Sequence, residues 1–375
     1  MQQTAAYGGY GMTLSTSTLK YTMDELLRTT VECGASDLHL SVGLPPILRI
    51  SGRLTPTEYP RLQPEDTKRL IYNILNDKQK EKFEKTWELD CSHGVRGFGR
   101  FRVNVFRQRG VVGATLRAIP SSIPTRQELN LPQIVEDMVD RPHGLILVTG
   151  ATGQGKSTTL ACMLDLINSE KTYHILTIED PIEYIHPHKK SMINQRELGQ
   201  DTQGWMHALR ASLREDPDVI LVGEMRDLET IAGTLTAAET GHLVFSTLHT
   251  SDASQTVDRI VDVFPPHQQQ QIRIQLASVL EGVFSQQLIP HASGRGRVPA
   301  IEVMIMTSAI RTLIREGKSH QLYNSIQTGS KHGMQTMEQS LCDLYLNKQI
   351  TLEDAINHTM HTEDLRRMID SAGRK

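Results

Sequence analysis

The sequence predicts an α/β protein in two domains: a mixed α+β unit, then a mainly parallel sheet covered by helices and followed by a helical region. Three observations predict it. After residue 133, four short apolar runs, "LILVTG", "HILTIED", "DVILVGE" and "HLVFSTLH", alternate with helical patterns, as buried parallel strands do. Before them, "PSSIPTRQELNLP" holds three prolines in thirteen residues and reads as a linker. The chain of 375 residues is long enough to give each side its own core.

In order along the chain, residues 1–20 lack the charged and apolar regions of a signal peptide and read as a flexible tail. Residues 21–118 form the first domain. "MDELLRTTVECG" is an amphipathic helix stopped by Gly34, "DLHLSVG" and "ILRISGRL" are strands, and a helical span covers about 64–86. Phe101, Val103 and Val105 alternate with polar residues in a strand, and "GATLRAI" makes another. Residues 119–132 are the hinge linker, and 133–375 the second domain, whose last third reads as mostly helical.

The first apolar run of that domain leads into a glycine-rich loop, "GLILVTGATGQGKSTTLACML". Gly150, Gly155, Lys156 and Ser157 fit the spacing G-x-x-x-x-G-K-[ST]. Glycines let consecutive backbone N–H groups of Gly150, Ala151, Thr152, Gly153, Gln154 and Gly155 turn toward phosphate oxygens. Lys156 supplies a point charge to the β- and γ-phosphates, Ser157 a hydroxyl for Mg²⁺, and Thr158 continues the first helical turn. A strand precedes the loop. Leu160, Met163, Leu164 and Ile167 recur at helical spacing after it, so a helix N-terminus faces the phosphates. The motif and its context imply a nucleoside triphosphate.

Ligands of open α/β sheets bind at the carboxyl ends of strands. Three further strands end there in polar residues. "ILTIEDPIEY" supplies Glu179, Asp180 and Glu183, "VILVGEMRD" supplies Glu224, and "LVFSTLHTSD" supplies His249. Hydrolysis of a γ-phosphate needs one carboxylate to orient water and an acidic group for the metal shell. Glu224, after four apolar residues and a glycine, suits the metal side; Glu183 suits the water. His242 and His249 flank one strand, and His249 is placed to sense the γ-phosphate.

The balance of charge bounds the partners. A formal net charge of −3 provides no global basic field for nucleic acid. The four cysteines, Cys33, Cys91, Cys162 and Cys342, form no C-x-x-C pair, which excludes a cysteine-based zinc site and favours a cytosolic protein. No run approaches the 18 apolar residues of a transmembrane helix.

Together these motifs resemble the secretion and type IV pilus ATPases of the RecA-like superfamily. "GATGQGKSTT" is similar to their Walker A, "TIEDPIEY" to their Asp box, "LVGEMRD" to their Walker B and "TGHLVFSTLHT" to their His box, in the same order, over residues 21 to about 350. Within the family, "AIRTLIREGK" (309–318) and "IQTGSKHGMQTMEQSL" (326–341) are similar to the pilus-retraction branch, with Thr312 where that branch carries asparagine. The phosphate loop departs at Ala151 and Gln154, where proline and serine are more usual. The resemblance implies a PAS-like first domain, a RecA-like second domain, a homohexamer, and ATP and Mg²⁺ as substrate and cofactor. It also implies basic residues of the first domain reaching the phosphates: Arg102 and Arg117 fit by position, with Arg100 and, from the second domain, Arg210 and Arg214 as weaker candidates.

The implied function is an ATP-driven motor that retracts type IV pili through interdomain motion. It would stand in the cytoplasm at the inner membrane, against a membrane-embedded pilus platform. An accessory retraction ATPase, a pilus-extension or type II secretion ATPase, a nucleotide-gated module without hydrolysis and a DNA motor are the rivals. The helix in "AIRTLIREGK" is expected to bury Ala309, Ile310, Leu313 and Ile314 and to present Arg311 and Arg315 to a partner or a neighbouring domain.

Overall fold

Local signals set the first unit. Thr22 and Glu25 cap helix α1 (Met23–Glu32) reciprocally, and its face of Met23, Leu26, Leu27 and Thr30 is buried. Gly34, at φ +62°, ends the turn beyond it. The computed structural model describes residues 21–372 apart from 97 and 121; the expected tail, 1–20, lies outside the described residues. Strand β1 (Asp37–Leu40) follows, then β2 (Ile47–Ile50) and β3 (Arg53–Pro56). "ILRISGRL" is therefore a hairpin of two strands. Ser51 and Gly52 both take positive φ (49° and 81°), the conformation of a tight two-residue hairpin turn. The expected helical span is likewise two helices, α2 (Pro64–Tyr72) and α3 (Asp77–Thr86), because Asn76 and Gln79 build a fresh N-terminus between them. Strands β4 (Glu88–Val95), β5 (Gly99–Gln108) and β6 (Val111–Ile119) complete a six-stranded antiparallel sheet, in the order β3-β2-β1-β6-β5-β4. Phe101, Val103 and Val105 point into its core. β4 was not legible in the sequence pattern, since Ser92, His93 and Gly94 interrupt its alternation.

The chain divides into two compact units between Ile119 and Pro120. Most of the expected linker already packs on the second unit. Leu131 is buried in that unit's core, and Arg126 donates to Glu136 at 2.6 Å and to the Leu131 carbonyl at 2.8 Å. This leaves 120–124 as the stretch before the anchor.

The second unit runs α4 (Ile134–Val139), β7 (Gly144–Thr149), α5 (Lys156–Glu170), β8 (His174–Glu179), β9 (Met192–Glu197), α6 (Trp205–Ser212), β10 (Val219–Val222), α7 (Leu228–Glu239) and β11 (Leu243–Leu248). It continues with α8 (Ala253–Asp262), α9 (Pro266–Val279), β12 (Leu280–Pro290), β13 (Arg297–Ile305), α10 (Ser308–Arg315), α11 (Leu322–Gln327), α12 (Met337–Leu346), α13 (Leu352–Asn357) and α14 (Thr362–Ala372). Its sheet is ordered β13-β12-β7-β11-β10-β8-β9. Every pair is parallel except β12–β13. Every residue of β7, β10 and β11 is buried, so both faces of the central sheet are covered.

Two features depart from the expectation. β9 is an additional parallel strand beyond β8. The last third is mostly helical as expected and opens on α8 and α9, but it also holds β12 and β13, a long antiparallel hairpin that makes the sheet mixed. Ser285 and Gln286 sit buried in the middle of β12, which hides the strand from a reading by hydrophobic pattern.

Candidate active site

The strand order decides what can meet. β7, β11, β10 and β8 are consecutive and parallel, so the loops after their carboxyl ends share one edge. Those loops carry Gly150–Thr158, His249, Glu224 and Glu179–Glu183. Backbone and hydroxyl bonds zip the strand ends together. Gly223 N donates to Ile178 O (2.8 Å), Met225 N to Thr247 O (3.1 Å), and the Thr247 hydroxyl to Gly223 O (2.7 Å).

The phosphate loop turns on glycine. Gly150 has φ +142°, and a Cβ there would stand 2.4 Å from the Gln286 carbonyl oxygen of β12. Gln286 is 3% exposed; its amide donates to Gln154 O (2.7 Å) and accepts from the Thr159 hydroxyl (2.8 Å). The Gln154 side chain, where the family more usually has serine, accepts from Leu288 N at 2.6 Å. Gln286 and Gln154 thus lace the loop to β12, a support that sequence reading missed because β12 itself was missed. Lys156 is buried, and its ammonium donates to the carbonyls of Gly150 (2.7 Å) and Ala151 (3.0 Å). Burial lowers its pKa below the ordinary lysine range, with the negative charge of Glu224 working against that. Thr158 shares a hydroxyl–hydroxyl bond of 2.9 Å with Tyr184, which ties the first turn of α5 to the loop after β8.

Glu224 is the hub. Its Oε1 lies 2.9 Å from His249 Nε2, and its Oε2 accepts from Arg226 at 2.7 Å. Burial acts to raise the Glu224 pKa, but Arg226, His249 and Lys156 outweigh it and leave the carboxyl below its usual value. Arg226 is a contact the sequence reading did not single out, although it lies two residues beyond Glu224 in the quoted motif.

Glu179 is buried and accepts from the Thr177 hydroxyl (2.8 Å) and Glu183 N (3.1 Å), with a longer bond from Gln195 of β9 (3.4 Å). It fixes the turn that presents Asp180 and Glu183, both exposed. Burial pushes its pKa up to about 7, against those hydrogen bonds. Because the folded value lies above that of the unfolded chain, its contribution to stability is complete below about pH 4.5 and is lost as pH rises through about 7. Glu179→Gln is therefore expected to flatten the fall of Tm between pH 5 and 8. Equal slopes for variant and wild type would remove this assignment.

Other predicted residues lie elsewhere. His242 precedes β11, and its Nδ1–H donates to Ala237 O (2.9 Å), at the amino end of the strand whose carboxyl end carries His249. Six strand residues separate the two, about 20 Å, so they do not share a site in one subunit. Arg102 and Arg117 are cross-strand neighbours on the exposed face of the first unit. Arg117 donates to Asp37 at 2.8 Å, and Arg100 is held by Ser92. Arg210 and Arg214 are exposed on α6 and just beyond it.

The reading of Arg311 is corrected. Its guanidinium donates to the carbonyls of Ala277 (2.6 Å) and Ser278 (3.1 Å) at the end of α9 and pairs with Glu281 at 2.7 Å. It staples α10 to α9 and β12, because a helix C-terminus attracts a cation. Arg315 remains exposed, and so does Ala309; Ile310 and Ile314 are buried. Arg311→Ala is expected to cost about 1–3 kcal/mol of stability in chemical denaturation, since Glu281 and two carbonyls lose a donor. Arg315→Ala should stay within about 0.5 kcal/mol. Equal effects would return Arg311 to the surface.

Residues 125–357 match the family described as type II/IV secretion system protein. The chain is 54% identical to the type IV pilus retraction ATPase PilT of Pseudomonas aeruginosa, over 88% of this chain and 96% of that protein. The chain belongs to the type II/IV secretion system protein family. It is 42% identical to the type IV pilus ATPase PilU of the same organism, over 92% of this chain and 91% of that one. A crystal structure of the pilus retraction motor PilT with bound ADP superposes with a TM-score of 0.87 at 53% identity, covering 93% of this chain and all of that one. As a member of the secretion family the chain is a nucleotide-binding ATPase, and its α/β class is the one expected.

The residues also fit magnesium. A Ser157 hydroxyl on the first helical turn and the charged Glu224 carboxylate are hard oxygen donors. Among the described residues no group of three or more His, Cys, Asp or Glu could hold a metal by itself, as expected where substrate oxygens supply part of the shell.

Proposed function

We propose that this chain is a hexameric ATP-hydrolysing motor that powers type IV pilus retraction through motion between its two units. The carrying observation is the 54% identity to the Pseudomonas retraction ATPase across nearly its whole length, supported by the strand edge that gathers the phosphate loop, Glu224 and His249. Lys156, the loop N–H groups and the α5 N-terminus bind the phosphates of ATP. Ser157 and Glu224 would hold Mg²⁺, which supplies charge neutralisation between the phosphates. Glu183, on the turn that Glu179 fixes, orients water and takes its proton. His249 reports the state of the γ-phosphate to Glu224. Arg102, beside the Asp37-paired Arg117, adds a cation from the first unit. The hinge is the part of the expected linker, 119–132, that precedes Thr125, where the chain begins to pack on the second unit.

Among the described residues no helix is long and apolar enough to cross a membrane. On the family likeness, the proposal places the motor in the cytoplasm, peripheral to an inner-membrane platform protein that it drives, with no nucleic acid partner. Removal of the gene tests this. Cells that keep pili but cannot retract them support the reading; bald cells would make the chain an extension ATPase, and normal retraction an accessory one.

A further inference from the structure

Glu302 of β13 is 4% exposed, an ionisable group inside the sheet edge. It stands opposite Ser285 of β12, which stands beside Thr149 at the base of the phosphate loop, where the Thr149 hydroxyl donates to Ser285 Oγ at 3.0 Å. A buried carboxyl is expensive unless hydrogen bonds satisfy it. Two helix N-termini face it. Ala253 N, the first residue of α8, donates to Glu302 Oε1 at 2.8 Å, and the backbone of Met337, the first residue of α12, stands near enough to the same carboxyl to act against the rise of its pKa.

Each helix leads to something. α8 begins four residues after His249, and its second residue is tied down again, the Ser254 hydroxyl donating to Ser319 O at 2.5 Å. α12 continues into Glu338, 1% exposed, which accepts from the Thr359 hydroxyl (2.8 Å) and the Tyr323 hydroxyl (3.2 Å). Tyr323 also donates to Asp364 of α14 at 3.3 Å. A cavity of about 290 Å³ opens between these groups, lined among others by Asp252, Glu302, Tyr323 and Glu338. Burial pushes the Glu302 pKa up to about 8, with the neighbouring charges of Asp252 and Glu338 adding to the rise. The group is thus kept where its charge is costly, which argues that its place between the N-termini of α8 and α12 matters.

We propose that Glu302 is a positioning residue for the ATPase reaction: by holding the N-termini of α8 and α12 together, it fixes the loop that presents His249 to Glu224 and ties that loop to the C-terminal helices. The inference rests on the reading that the His249–Glu224 pair serves hydrolysis. A link through α12 gives the C-terminal helices a physical route to the turnover rate.

The test is steady-state ATP turnover on the full chain, with Tm measured on every variant. Glu302→Ala removes the carboxyl and its bond to Ala253 and is expected to lower kcat about tenfold with KM for ATP within twofold. Glu302→Gln keeps one acceptor and should recover to within about threefold of wild type. Ala253→Pro cuts one bond and leaves the carboxyl in place. Proline is favoured at the first helical position. Asp252, at φ −148° and ψ 169°, already has the extended conformation required before proline. Its kcat should fall like that of Glu302→Ala, and it decides alone if Glu302→Ala does not fold. Folded variants with wild-type kcat would overturn the proposal. His249→Ala, run alongside, separates the failures: slow His249→Ala with fast Ala253→Pro removes the clamp only, whereas fast His249→Ala overturns the reading of the site and the clamp with it.

Discussion

Lys156→Ala is expected to reduce ATP turnover by about a hundred- to a thousandfold, the loss typical when a preorganised donor to developing charge is removed from a water-poor site. The lysine is buried at the head of α5, and in this structure its ammonium is fastened by two carbonyls of its own loop. Its charge is therefore aimed before substrate arrives, and no other cation of the loop can replace it. Nucleotide affinity should weaken as well, because the β- and γ-phosphates lose their main counter-charge. Phosphate release and equilibrium nucleotide binding are the two measurements. A variant that turns over ATP at the wild-type rate would remove the phosphate loop from the proposed mechanism.

Glu224→Gln carries the second large effect, about a hundredfold in kcat with nucleotide binding retained. The amide would still reach Arg226 and His249, so the fold of the strand end should survive. What disappears is the negative charge of a carboxyl whose pKa Arg226, His249 and Lys156 hold below the usual value. Glu183→Gln should also lose turnover, since an amide cannot accept a proton from water. The two differ in metal response: the Mg²⁺ concentration for half-maximal rate should rise for Glu224→Gln and stay near wild type for Glu183→Gln. An equal shift in both would dissolve the division of roles.

The α/β class was legible because β7, β10 and β11 each open or run as short stretches of consecutive apolar residues, the usual pattern of a strand covered on both faces. The edge that gathers Gly150, Glu224, His249 and Glu179 was legible because each lies at the end of such a run. β12 was not. Its middle residues, Ser285 and Gln286, are polar and buried, and the bonds that make this tolerable are to Thr149, Gln154 and Thr159, more than a hundred residues earlier. Nor could spacing alone separate the two histidines. A strand places its flanking residues at opposite ends of the sheet, so His242 and His249 look paired on paper and are about 20 Å apart in space. Arg311 fails for a similar reason. A cation on a helix surface reads as exposed until the carbonyl ends of another helix are seen beneath it.

The seat of Gly150 against the Gln286 carbonyl has a mechanical meaning. Any engine loses stroke to play in the bearing where fuel is consumed, because the first part of each displacement is spent taking up slack. Here the bearing surface is strand backbone. A glycine with no room for even a methyl group rests on β12, and Gln286 grips the loop on one side and the first helix behind it on the other. Such a mount is stiff, since a densely packed interior transmits strain and does not absorb it. Slack is thereby kept out of the seat of the loop, so that a displacement of the loop would be passed to β12 and not absorbed at their contact.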